Sequence, residues 1–411
     1  MDSQYLYRRS KEEDVVAAYR ALGVASAVLA LLALSPAQAD PPPAVALRLL
    51  YISRQAPPPP RATLSEPVEP HYGLMGAKFA LQELNSSGKF LAERYELLTL
   101  QVGPTADIHS AAGKAISASQ GLVIADLEPG DLLAVADLKE ASGALILDAR
   151  TSDDTLRATG CRSNVYHMLP SWTMRAEALG RLLARKGWNR WLLLSGGTTQ
   201  DQQFASAFRE VAAHNKAVLV GESTFIQAGP DQSTADAIAR LTQETLPYQL
   251  VIVTDTAERF GAEVLFNTAQ PALVAGTHGL SAVAWDPQFR DFAARSVQYR
   301  FGLLAARPMT ERDYGNWLAV TAFGEAFTRG RVRDARGIET YMMSRGFQVA
   351  ANKGMGLTFR STDHQLRQPL LLFGPRSLVG IDHAEAEPGT HESARKCGEK
   401  PLQPHSTQPS H

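Results

Sequence analysis

Residues 190–225 read RWLLLSGGTTQDQQFASAFREVAAHNKAVLVGESTF, and the fold turns on them. Trp191 to Leu194 is an apolar run of strand length that ends in Ser195-Gly196-Gly197. A helical period follows, with Phe204, Phe208, Val211 and Ala212 at i, i+4, i+7 and i+8. Thr199, with Gln202 three positions on, has the composition of a capping box at the helix start. A second apolar run occupies 217–220. The helix carries the chain back to the same edge, so the two strands of this unit run parallel. Parallel sheets of this kind bind ligands at the carboxyl ends of their strands, which makes the loop at Ser195 and Gly196 a candidate position.

Working outward, the same alternation lies on the amino-terminal side. Residues 45–52 read as a strand, and 72–85 as a helix with Leu74, Phe79, Leu81 and Leu84 on its apolar pattern. Strand 96–102, helix 108–119, buried strand 121–125, helix 132–141 and strand 144–147 follow. That order argues an α/β fold with a doubly wound parallel sheet. The polar stretch 151–170 breaks the rhythm and marks a crossing between domains. Helix 174–186 and the opening unit restart the alternation. Helix 233–241, strand 250–253, helix 258–266 and short strands at 274–275 and 280–284 continue it. Two α/β runs of similar length make two similar lobes. The remainder differs: helices at 289–301, 313–328 and 338–344, then a hairpin of 357–359 with 369–373 around Ser361-Thr362-Asp363-His364. Residues 54–70 hold six prolines and form a surface loop. From residue 381 the chain is a polar tail.

The chain has 411 residues, enough for two domains. Its formal net charge of -1 and the lack of any long Lys/Arg block exclude a nucleic-acid partner. Arg20 precedes a 14-residue apolar stretch, 21–34, and Ala37-Gln38-Ala39 offers a small-x-small cleavage site. Residues 1–39 therefore read as a secretory signal peptide cleaved near Ala39, because 14 residues is short for a membrane span. An uncleaved anchor is the alternative. The two cysteines, Cys161 and Cys397, both fall in the exported part, where they pair or stand as two thiols.

Catalytic and metal motifs are missing. Leu194-Ser195-Gly196-Gly197 resembles a transporter-ATPase signature, but the chain has no phosphate-cradling G-x-x-x-x-G-K-[ST], so these glycines read as a turn. Neither G-x-S-x-G nor G-x-G-x-x-G occurs, and the ten histidines are scattered without ligand spacing. The reading is a protein that is not an enzyme and calls for no cofactor and no metal. What stands out instead are polar loops at strand carboxyl ends. Asp126-Leu127-Glu128 is one, and Asp148-Ala149-Arg150-Thr151 with Ser152 is another. Each is read equally well as helix capping on the solvent side. Trp285 and Tyr314 are candidates for stacking on a ligand, with core packing the blander reading.

Several stretches carry a resemblance: GLVIADL at 121–127, DDTLR at 153–157 leading to Cys161, HMLPS at 167–171, WNRWLLLSG at 188–196, MTERDYGNWLAV at 309–320 and LTFRSTDHQLRQPLLLFGPRSLV at 357–379. The chain resembles type I periplasmic solute-binding proteins of the branched-chain amino-acid branch. Within them it is most similar to those associated with pyrroloquinoline-quinone-dependent alcohol oxidation. The resemblance implies two Rossmann-like lobes joined by three crossings, lobe I at 45–168 plus 288–355 and lobe II at 169–287 plus 356–380. It implies a monomer in the periplasm that closes on a small-molecule solute and delivers it to an inner-membrane ABC permease. A ligand-sensing or accessory role without transport is the alternative. It also implies that Cys161 and Cys397 form a disulfide. Asp126, Leu127, Glu128, Thr151 and Ser152 of lobe I and Ser195, Gly196, Asp255 and Trp285 of lobe II match positions that line the cleft. Amino-acid binders of this type usually offer a Gly-Ser/Thr loop where this chain has Asp126-Leu127-Glu128. Two carboxylates there repel a ligand carboxylate, so amino-acid specificity does not carry over.

Overall fold

The computed structural model describes residues 45–55, 72–226, 233–243 and 246–386, together with Cys397. The expected signal peptide at 1–39, the expected surface loop beyond residue 55 and the expected polar tail beyond 386 apart from Cys397 lie outside the described residues.

Lobe I is built on strands β1 (Val45–Arg54), β2 (Glu93–Val102), β3 (Leu122–Asp126), β4 (Leu145–Asp148) and β5 (Val165–His167), in the order β2-β1-β3-β4-β5. The β1–β3, β3–β4 and β4–β5 pairings are parallel. Every residue of β3 (LVIAD) and β4 (LILD) is buried, because helices cover both faces of the sheet. The helices are α1 (Leu74–Leu91), α2 (Ile108–Ala118) and α3 (Pro129–Ala136). Helix α1 runs past residue 85, where the sequence pattern ends. Asn85 holds the extra turn by exchanging two side-chain bonds with the Tyr95 backbone, both 2.9 Å.

Lobe II repeats the plan. Helix α4 (Trp172–Arg185) leads into β6 (Arg190–Ser195), α5 (Thr199–His214), β7 (Val218–Thr224), α6 (Thr234–Leu241), β8 (Leu250–Thr254), α7 (Gly261–Asn267) and β9 (Leu273–Gly276). The sheet order is β7-β6-β8-β9, all parallel. The capping box of α5 lies one residue earlier than the sequence pattern suggests. Thr198 Oγ1 accepts Asp201 N–H (3.1 Å), and Asp201 accepts Thr198 N–H (2.9 Å). Gln202 instead donates back to Ser195 Oγ (3.0 Å) and Gly196 O (2.7 Å).

After β10 (Ser281–Val283) the chain returns to lobe I as α8 (Ala294–Ala305), α9 (Glu311–Gly330) and α10 (Ala335–Met342). Helix α9 packs on α1 so closely that a Cβ at Gly76 would stand 1.9 Å from Asp313 O, which makes glycine obligatory there. The closing strands correct the expected hairpin. β12 (Gly356–Phe359) pairs with β11 (Val349–Ala350) and β13 (Leu366–Arg367), and Leu357, Phe359 and Leu366 join the lobe I core. β14 (Leu370–Gly374) pairs with β10 and with β15 (Ser377–Asp382). The third crossing is therefore Gln368-Pro369, and residues 356–367 pack with lobe I rather than lobe II. The other crossings are 168–171 and 284–293.

Lys353 sits where crossings meet. Its buried ammonium donates to Gln368 Oε1 (3.0 Å) and Pro369 O (2.7 Å), and Gln368 Nε2 donates to Met168 O (2.7 Å). Cys161 and Cys397 are joined by a disulfide, and Cys397 N–H donates to Thr362 O (2.7 Å). The start of the polar tail is not loose: Glu385 is buried and accepts from Arg181 Nη2 at 3.1 Å.

Candidate functional site

The carboxyl ends of both parallel sheets face a cavity of about 350 Å³ between the lobes. On the lobe I side the loop after β4 is shaped from beneath by Asp148. This buried carboxylate accepts the N–H groups of Arg150 (3.1 Å) and Thr151 (2.9 Å), the Thr151 hydroxyl, and His167 Nδ1–H (2.7 Å). Burial opposes the Asp148 charge, but the His167 bond and nearby Arg157 hold its carboxyl below the usual range. Burial, with Arg157 alongside, pushes His167 down, so a neutral imidazole makes that bond. Arg157 grips the same loop, donating to Asp153 O (2.8 Å), Thr151 O (3.1 Å) and Leu169 O (2.9 Å). Thr151 and Ser152 are thereby fixed on the cavity wall.

Beside them the acids meet arginines. Asp126, fully buried, accepts from Tyr51 Oη (2.6 Å) and Arg312 Nε (2.7 Å). Burial works against the Arg312 charge, but Asp126 outweighs it and holds the guanidinium above its ordinary value. Glu128 pairs with Arg150 and also accepts Gln200 Nε2 (3.0 Å) from the first turn of α5, a bond that spans the cleft.

The lobe II side begins with the first turn of α4, capped by Ser171. Trp172 stacks on Phe204 of α5 with centroids 4.7 Å apart. Arg175, 5% exposed, donates to Ala282 O (3.0 Å) and crosses the cleft to Glu311 (3.1 Å). Asp255 follows β8 and caps α7, its Oδ2 accepting Phe260 N–H (2.8 Å) and Gly261 N–H (2.7 Å). Burial drives His278 down against the pull of Asp255 and Glu258, so it too is neutral. Gly276 lines the cavity at φ +119°, where a Cβ would meet Val253 O at 2.1 Å. Three buried polar atoms of this wall have no partner: Trp172 Nε1, Arg175 Nε and Asp255 Oδ1.

Of the residues singled out in the sequence, Glu128, Thr151, Ser152 and Asp255 line the cavity. Asp126 stands behind it and acts through Arg312. Leu127 is fully buried in the lobe I core. Ser195 is buried at its strand end, tied to Gln202. Gly196 borders a separate hollow of lobe II with Phe225, Arg259 and Phe260. The reason is Asp201, which bonds Thr256 N–H (2.6 Å) and draws this loop to β8, so that Gln200 reaches the cleft instead. Trp285 is 2% exposed and stacks on Tyr314 (centroids 4.6 Å) inside the core at the second crossing, so neither lines the cavity. The sequence reading missed Trp172, Arg175, Gln200, Phe204, Glu311 and Arg312. The available signal was helix starts: each lies within two turns of a Ser or Thr N-cap at the cleft edge.

No family model matches the chain, and no curated protein matches it in sequence. Solved structures do match in shape. A periplasmic binding protein from Burkholderia mallei superposes with a TM-score of 0.64 at 13% identity, over 86% of this chain and 98% of that one. The leucine-, isoleucine-, valine-, threonine- and alanine-binding protein of Brucella ovis, in its closed conformation, gives 0.65 at 13%, over 84% and 98%. A solute-binding protein of an ABC transporter from R. palustris, in complex with benzoate, gives 0.62 at 13%, over 87% and 100%. The fold is the periplasmic binding protein type I fold. In that fold the cavity described above is the interlobe cleft, and Arg175–Glu311 and Gln200–Glu128 are its cross-cleft contacts.

Proposed function

We propose that the protein is the exported solute-binding component of an ABC-type importer, a monomer that captures a small molecule by closure of its two lobes. The observation that carries the reading is the cavity of about 350 Å³ walled by both lobes and bridged by Arg175–Glu311 and Gln200–Glu128. A ligand shifts such an equilibrium only by its differential contact with the closed form, and contacts to two lobes supply that difference. The hydroxyl–imidazole contact on the wall, Thr277 Oγ1 with His278 Nδ1 (3.0 Å), is built into the end of β9, where the same hydroxyl donates to Val253 O (3.1 Å) and accepts Asp255 N–H (3.1 Å), which favours binding over catalysis. The solved neighbours named above, one closed and one holding benzoate, support the same role. The leader pattern supports delivery to the periplasm and to an inner-membrane permease. The sequence segments at 121–127 and 357–379 support a link to pyrroloquinoline-quinone-dependent alcohol oxidation. Glu128, Thr151, Ser152 and Asp255 are proposed ligand contacts.

The test is a thermal-shift and calorimetric screen of the exported chain against alcohols, aldehydes, amides, carboxylates, amino acids and the quinone. Capture of a solute predicts a hit of micromolar strength, about -8 kcal/mol, accompanied by compaction in X-ray scattering. A screen without any stabilising compound would remove the capture role. A hit without compaction would favour a sensor or accessory protein.

A further inference from the structure

Away from the cleft, helix α8 presents a face that the fold does not use. Its inner side is ordinary core: Ala294, Val297, Gln298 and Phe301 are buried, and Phe301 meets Phe79 of α1 edge to face at 5.8 Å. Its outer side carries Tyr299, 68% exposed, and Leu303, 72% exposed, one turn apart on a single stripe. A hollow lies on each side of that stripe. Between α8 and α1 is one of about 520 Å³, lined by Leu303, Leu304, Ser86 and Ser87 and crossed by the Arg300–Glu83 ion pair. Phe90, 90% exposed, stands one turn beyond Ser86 and Ser87 on α1. Single exposed apolar side chains need no explanation, but several along one groove mark an interaction surface.

The hollow on the other side, about 560 Å³, is basic. Tyr299, Arg290, Arg295 and Arg307 line it, and among the described residues no carboxylate does. Arg307 is held by Asp313 at 2.6 Å. Arg290 and Arg295 are exposed and make no ion pair among the described residues. An apolar groove beside two open guanidiniums calls for a partner with apolar side chains and carboxylates side by side. Concave hollows suit inserted side chains better than they suit a flat bilayer. A second copy, meeting this face with its own, would bring the basic hollow no lining carboxylate.

We infer that this face of lobe I docks a segment of a partner protein, an amphipathic helix whose apolar row enters the α1–α8 groove and whose flanking carboxylates reach Arg290 and Arg295. The inference goes beyond the capture reading and does not depend on it, because none of these residues lines the cleft cavity.

The experiment titrates the exported chain into a labelled synthetic helix with a leucine row flanked by glutamates, and into the same helix with lysines in their place, read by fluorescence anisotropy. The glutamate helix should bind at least about tenfold tighter than the lysine helix. Leu303→Asp, and separately Arg290→Glu combined with Arg295→Glu, should each weaken it at least about tenfold. Phe266→Asp, which alters an equally exposed ring on α7 of lobe II, should leave it unchanged. Unfolding midpoints equal to the parent's establish that the variants are folded. No binding of the glutamate helix up to about 1 mM, equal binding of both helices, or indifference to the lobe I variants overturns the assignment. So does binding to anionic phosphatidylglycerol vesicles that Leu303→Asp abolishes while both helices are silent, which gives the face to a membrane. Self-association in ultracentrifugation that Leu303→Asp abolishes overturns it in favour of a second copy.

Discussion

The two walls of the cleft are built from similar residues and are left in different states. On lobe I each charged group that faces or backs the cavity already has its counter-charge or its hydrogen bonds. Asp126 has Arg312, Glu128 has Arg150, and Asp148 accepts four donors beneath the Thr151 loop. On lobe II, Trp172, Arg175 and Asp255 each keep a buried polar atom without a partner. Lobe I has an unmatched atom too, His167 Nε2 behind the Thr151 loop, but that residue is set back from the cavity wall. Unmatched buried atoms cost stability, so at the cleft lobe II carries the larger unsatisfied polar load. The difference leaves the lobe I wall held by its own bonds and the lobe II wall with bonds still unmade.

The largest effect should come from breaking the satisfied wall at its base. Asp148→Ala removes the acceptor for two N–H groups, one hydroxyl and His167, and leaves Arg157 buried beside them. Loss of one member of a buried charged network should cost about 3–5 kcal/mol in urea unfolding. A loss below about 1 kcal/mol would mean that the loop is held by Arg157 alone and that the contrast between the walls is overstated.

A smaller effect is expected at the crossings, where a charge is buried without a counter-charge. Burial pushes the Lys353 ammonium down to about 7, against the pull of Glu311 and with the push of Arg175. Gln368 and Pro369 supply only neutral acceptors, and the Tyr314 ring lies 5.6 Å away. For a lysine lowered in the folded state, the unfolded chain holds the extra proton between about 7 and the ordinary 10.5. Stability contributed through this group therefore rises with pH across that window, by up to roughly 1.4 kcal/mol per pH unit. Urea midpoints at pH 7, 8 and 9 should climb more steeply in the parent than in Lys353→Met. Parallel pH profiles would show that the ammonium is compensated and that the crossings are as well satisfied as lobe I.

How much of this was legible follows from what each residue depends on. β3, β4 and β8 could be read directly, because strands covered on both faces are written as unbroken apolar runs. β13 could not: Leu366-Arg367 is too short to show a period, so Pro369 drew the hairpin to the wrong partner. Glu128, Thr151, Ser152 and Asp255 directly follow strands, and a position at the sheet edge is enough to bring them to the cavity. Ser195 fails the same rule because a tertiary bond, Asp201 to Thr256, redirects its loop. Trp172 and Arg175 depend on the rotation of α4 about its axis, which packing sets and local sequence does not record.

The smallest effect probes the contact between the walls without disturbing either. Gln200 donates across the cleft to Glu128, whose side chain is half exposed and keeps Arg150 as its partner. The α5 capping box is made by Thr198 and Asp201, so Gln200→Ala leaves the helix start intact. Unfolding should therefore move by less than about 0.5 kcal/mol, the range of ordinary surface substitutions. A partly exposed hydrogen bond made only when the lobes meet is worth about 0.5–1 kcal/mol, which weakens solute binding roughly twofold to fivefold. Because the bond closes the cleft rather than touching the solute, the loss should fall equally on every compound that binds. A loss confined to one compound would place Gln200 on the solute itself, so that the first turn of α5 takes part in binding rather than only in closure.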